Sequence, residues 1–156
     1  MSLQELYQEM ILDHGKNPRH SGALPHATHS QVGHNPLCGD KLVLYLIVQD
    51  NKITDARFEG SGCAISVAST SIMLETIIGK SIDEVEALFN QFHKLATTGE
   101  TPTDLGKLMV FSGVHHFPIR VKCATLAWHT LHMITALAVI PREGTGSSSP
   151  KENEIQ

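Results

Sequence analysis

The run Lys41-Leu-Val-Leu-Tyr-Leu-Ile-Val-Gln49, followed by Asp50-Asn51 and by Ile53 to Glu59, constrains this chain more than any other segment. The first run is rich in β-branched and aromatic side chains and reads as a strand. Asp50 and Asn51 both tolerate positive φ and suit a two-residue turn into a second strand. A strict turn would set Leu42, Leu44 and Leu46 opposite Glu59, Arg57 and Asp55, a poor match for one buried face. One extra residue near Thr54-Asp55, a β-bulge, sets the same leucines opposite Gly60, Phe58 and Ala56, with Val48 beside Ile53. The bulged register is therefore expected. In either register Cys38-Gly39-Asp40 lies across from Gly62-Cys63, where paired Cα atoms stand roughly 4.5–5.5 Å apart. Two sulfurs and a carboxylate thus converge at one end of the hairpin.

Helices are expected on both sides of it. Leu3, Leu6, Tyr7, Met10 and Ile11 recur at helical spacing within residues 3–14, and Asn17-Pro18 should end that helix. Residues 19–36 are polar and turn-rich, with room for a short edge strand at 30–33. A helix is expected from Ala64 to Ile78, ended by Gly79. Ser81-Ile82-Asp83-Glu84 is a capping box opening a helix to about Leu95. Residues 97–103 read as loop, and 104–112 as one or two further turns. Pro118 suits the first position of a final helix reaching Val139, with Cys123 in its first two turns. The expected fold class is α+β: a small antiparallel sheet of about three strands packed against roughly four to six helices. One domain is expected over 1–140, with Pro141 to Gln156, which contains Gly-Thr-Gly-Ser-Ser-Ser-Pro, as a disordered tail.

The net charge of −4 and the scattered Lys and Arg residues supply no basic stripe, so nucleic acid is not an expected partner. No apolar run reaches membrane-spanning length, and the polar, acidic start does not read as a signal peptide. A cytoplasmic protein is expected. There the odd count of three cysteines points away from disulfides and toward metal or thiol chemistry.

Three thiolates and one carboxylate, Cys38, Asp40, Cys63 and Cys123, suffice for a tetrahedral ion such as zinc. Helix N-termini near Cys63 and Cys123 would favour their thiolates. Plainer readings stand beside this one. A lone cysteine is usually a small buried hydrophobe, and Asp40 could simply cap a turn. His26, His29 and His34 are irregularly spaced, and His129 and His132 share a helix face where packing is commoner than ligation. His115-His116 lies near the cysteines and could touch them from outside the ligand shell. Arg120, three residues before Cys123, could be a solvated charge, or could neutralise a thiolate or reach a ligating carboxylate.

Four segments carry a resemblance. They are Leu6-Tyr-Gln-Glu-Met-Ile-Leu-Asp-His14 with Asn17-Pro18-Arg19, Asn35-Pro36-Leu37-Cys38-Gly39-Asp40, Asp55 to Ser66, and Phe117-Pro-Ile-Arg-Val-Lys-Cys-Ala-Thr-Leu126. With them the chain resembles the U-type iron–sulfur assembly family, which includes IscU scaffolds and zinc-bound SufU sulfurtransferases. Lys122 stands where scaffold members carry a histidine, and residues 94–112 look like the insertion of SufU-type members. The resemblance implies zinc held by Cys38, Asp40, Cys63 and Cys123. It further implies sulfur transfer from a SufS-type cysteine desulfurase to the SufBCD machinery, with Cys38 as the released nucleophile and Arg120 holding Asp40 meanwhile. Its alternative is a scaffold carrying a [2Fe–2S] cluster on the same residues. Either way the protein is expected to act with a partner, not as a stand-alone enzyme. Two remoter alternatives are a structural zinc module and a cysteine hydrolase, the latter lacking a convincing His and Asn or Asp assembly.

Overall fold

The structure is a computed structural model that describes residues 2–139, and the expected tail 141–156 lies outside the described residues. The elements run α1 (Leu3–Lys16), β1 (His29–Asn35), β2 (Asp40–Gln49), β3 (Lys52–Ser61), α2 (Ala64–Ile77), α3 (Ile82–Thr98), a 3-10 helix (Gly106–His116) and α4 (Pro118–Val139). The three strands form one antiparallel sheet in the order β1-β2-β3. Among the described residues three strands and five helices make the expected α+β fold.

The β2–β3 pairing is the bulged one. Leu42, Leu44 and Leu46 face Gly60, Phe58 and Ala56, Val48 faces Ile53, and the register shifts between Ile47 and Val48. Asp50 and Asn51 adopt φ of 51° and 63°, the left-handed pair that a tight hairpin turn demands. Alternation along β2 then decides the layers. Asp40, Leu42, Leu44 and Leu46 are buried on one face, and helices cover that face. The free edge of β3 is covered too, because the amide of Gly22 donates to Phe58 and that of Phe58 to His20.

Helix α2 is apolar or small almost all round and packs against α1, α4 and β3, so it runs through the interior. In the same core Phe92 of α3 stacks on Trp128 of α4 at 4.8 Å between ring centroids, with both rings fully buried. Helix α1 docks differently. Its single buried side chain is His14, whose Nδ1 is 2.7 Å from Ser71 Oγ.

Several boundaries differ from expectation. Helix α3 continues to Thr98, past the expected end near Leu95, until Gly99 at φ 80° caps it. The turns expected at 104–112 form a longer 3-10 helix ending at His116. The edge strand covers residues 29–35 instead of 30–33, so His29 and His34 sit on β1, not in a loop.

Candidate metal centre

Asp40 is the first residue of β2 and continues its buried face, so its carboxylate points into the helix layer with no exposure to solvent. There it meets the junction of β3 and α2. The amide of Cys63 donates to Asp40 Oδ1 at 2.9 Å, and Cys63 Sγ lies 3.9 Å from Oδ2. Gly62 makes this approach possible, because a Cβ at that position would run into the Asp40 carboxylate. The loop between β1 and β2 turns through Gly39 at φ 71° and presents Cys38 beside Asp40.

Cys123 arrives from 85 residues beyond Cys38. It is buried on the second turn of α4, and its sulfur stands 3.1 Å from that of Cys38. The donor atoms of Cys38, Asp40 and Cys123 lie within 4.8 Å of one another, a grouping compact enough to surround one ion. Cys63 stands somewhat apart. It is exposed and serves as N-cap of α2, its sulfur accepting the Ser66 amide at 3.4 Å. That bond and the Asp40 contact leave it at the edge of the cluster.

The donor set fits a divalent cation with sulfur affinity. Three sulfurs and a carboxylate are four electron-pair donors for one doubly charged ion. Burial, and then the neighbouring Cys38, Asp40 and Cys63, push the Cys123 thiol far above the usual cysteine range. A cation among these groups would reverse that penalty by stabilising thiolate.

Other expected residues lie further off. Arg120 is exposed, its guanidinium 4.2 Å above the Phe117 ring, and it makes no ion pair with Asp40 in this arrangement. His115 turns away, with Nδ1 2.6 Å from the Ser112 carbonyl. His129 and His132 belong to a ring cluster with Phe89 and His93 between α3 and α4.

Two features escaped the sequence reading. One is a cleft of about 680 Å³ beside the centre, lined by α1, the 3-10 helix and the starts of α2 and α4, including Tyr7, Ile65, Phe117 and Arg120. The other is an apolar rim, with Leu37 65 % and Ile119 63 % exposed near Cys38 and Cys123. Strongly apolar residues flanking Cys38 and Pro118 were the available signal.

Residues 6–124 match the model of the NifU-like N-terminal domain. The chain belongs to that family. It is 43% identical over 134 residues to the iron–sulfur cluster assembly scaffold protein IscU of Thermotoga maritima, covering 84% of this chain and 93% of that protein. It is also 39% identical over 132 residues to the zinc-dependent sulfurtransferase SufU of Bacillus subtilis, covering 83% and 89%. A solved structure from Fervidobacterium islandicum AW-1, assigned as an iron–sulfur cluster assembly scaffold for the SUF system, superposes with a TM-score of 0.78 at 36% identity, covering 86% of this chain and 99% of that one. Family members named as scaffold and as sulfurtransferase thus stand at similar distance. Among the described residues no helix is long and apolar enough to cross a membrane.

Proposed function

We propose that this protein is a zinc-dependent sulfur-transfer component of iron–sulfur cluster assembly. In this reading it takes persulfide sulfur from a SufS-type cysteine desulfurase and passes it to a SufBCD-type assembly complex. The supporting observation is the gathering of Cys38, Asp40 and Cys123 within one ion's reach, with Cys63 at the edge. Kinship with a zinc-dependent SufU supports it further, as do Lys122 before the third cysteine and the segment 94–112. Cys38, Asp40, Cys63 and Cys123 would hold the zinc. When bound, zinc keeps these thiolates deprotonated and masks them until one is released.

Cys38 is the transferring residue in this reading. It sits in the β1–β2 loop that turns at Gly39, whereas Cys63 caps α2 and Cys123 is buried in α4. The Cys38 thiolate attacks the terminal sulfur of the desulfurase's cysteine persulfide. A Cys38 Sγ–S bond forms, the donor S–S bond breaks, and the electron pair leaves on the donor's cysteine thiolate, so no oxidant or reductant is consumed. Arg120, one turn before Cys123, holds Asp40 while Cys38 is away from the centre. The apolar rim formed by Leu37, Phe117 and Ile119 suits a partner surface at this corner.

Two measurements test this together. The purified protein should be colourless with one zinc per chain, and it should accelerate a SufS-type desulfurase, which Cys38→Ser should fail to do. Full acceleration by Cys38→Ser would remove the transfer role. The relative named as an IscU scaffold favours a second reading, a [2Fe–2S] carrier on the same ligands. A stable brown protein containing iron and sulfide would select that one.

A further inference from the structure

The carboxamide of Asn35 is fully buried at the end of β1, opposite Asp40 in the β1–β2 ladder. Its oxygen accepts the Leu37 amide at 3.1 Å, an Asx turn that opens the loop carrying Cys38. This bond settles which edge of the group is which, and the NH2 edge is left over. Among the described residues Asn35 Nδ2 meets no acceptor. A buried donor with no acceptor bears its whole desolvation penalty, so natural proteins rarely keep one without a reason.

The chemistry of the same loop names the missing acceptor. Between residues 35 and 40 the other polar or sulfur-bearing side chains are those of Cys38 and Asp40. Asp40 accepts from the Cys63 amide and the Cys63 thiol, and Cys38 accepts the Cys123 thiol at 3.1 Å. Once a metal ion displaces the thiol protons, Asp40 turns to the ion, and the Cys38 sulfur keeps lone pairs beyond the one it gives to the metal. As a neutral thiol it accepts hydrogen bonds weakly, but as a thiolate it accepts a charge-assisted one. We infer that Asn35 is a positioning residue whose NH2 donates to the Cys38 thiolate when a metal ion fills the centre. Such N–H···S bonds orient a ligand and draw electron density from it, as partners beyond the ligand shell commonly do. Asn35 thereby fixes the loop over the ion and tempers Cys38 until release. This inference rests on the metal reading above.

Cobalt(II) added to the full chain is the probe, because thiolate-to-cobalt charge transfer reports the electron density on sulfur. Asn35→Asp keeps an oxygen for the Leu37 amide but loses the NH2, and Asn35→Leu removes both groups without adding charge. In both variants the charge-transfer band should move to longer wavelength, and zinc affinity should fall about 10-fold or more. Bands at the wild-type position in both variants would overturn the inference, and an internal water would then be the partner of Asn35. Should the variants fail to fold, the wild-type protein loaded with cadmium-113 still decides. The Asn35 side-chain amide protons should show coupling to the metal across the hydrogen bond, and its absence overturns the proposal. A wild-type chain with no thiolate–cobalt bands would instead remove the metal reading itself, and this inference with it.

Discussion

At Gly62 a single methyl group would be costly. A Cβ there has no space except that held by the Asp40 carboxylate, which is itself pinned by the Cys63 amide. Gly62→Ala must therefore displace either the carboxylate or the start of α2. Overpacking of this kind costs about 1–3 kcal/mol, so a urea titration should show a lower midpoint. Zinc affinity measured with a competing chelator should fall in parallel. Asp40→Asn separates the two effects. The amide oxygen still accepts from Cys63, so the metal-free melting temperature should hold close to wild type. Zinc affinity should drop by at least about 10-fold, because the proposed anionic ligand is gone. Gly62 was visible in the sequence as one of two glycines before Cys63, but the reason for it was not. Alternation places Asp40 on the inward face; only the packed α2 shows what its carboxylate meets.

Among the elements, the β2–β3 hairpin and the α3–α4 contact carry the sharpest expectations. The leucine period of β2 could be satisfied in only one register, and the bulge near Thr54 supplies it. Leu44, fully buried at its centre, should cost about 2–5 kcal/mol as Leu44→Ala in chemical denaturation.

Between α3 and α4, His129 is held below the ordinary histidine range, first by burial and then by His93 and His132. The groups facing it are Phe89 and His93 from α3 and His132 on its own helix. The carboxylate of Glu86 is taken by His132 Nδ1 at 3.0 Å and by Thr135. His14 is lowered as well, mainly by burial and Arg19, with Glu75 opposing. Both folded-state values lie below the unfolded value near 6.5, so the unfolded chain binds protons first. Stability is then complete above about pH 6.5 and declines as pH falls through that value toward the folded ones. Melting temperature should drop between about pH 7 and pH 5. His129→Gln should flatten that slope, and an unchanged slope would show that His129 does not contribute.

For the whole molecule, the proposed zinc site links metal to fold. A cation that binds the folded centre and not the unfolded chain stabilises the protein by about 2.7 kcal/mol at 100 times its dissociation constant. For a chain of this size that is a rise of roughly 5–10 °C in melting temperature. Calorimetry with and without zinc, and again after chelation, measures it. A Cys123→Ser variant should lose most of the rise, since it removes the proposed ligand from the element most distant in sequence.

Local physics made much of this legible from the chain alone. The hairpin, its bulge, the capping box at Ser81 and the start of α4 at Pro118 follow from periodicity, turn chemistry and missing amide donors, all of which act over a few residues. The same reach placed Cys38, Asp40 and Cys63 together, because strand pairing converts spacing into proximity. Tertiary packing alone put the Cys123 sulfur 3.1 Å from that of Cys38, for no local rule relates residues 85 apart. It also stacked Arg120 on Phe117, turned His115 to its own helix, opened the cleft beside α1 and buried the Asn35 NH2 without an acceptor among the described residues. Each of those outcomes depends on which surfaces the helices lay against the sheet, and that choice is settled by the collective fit of the core.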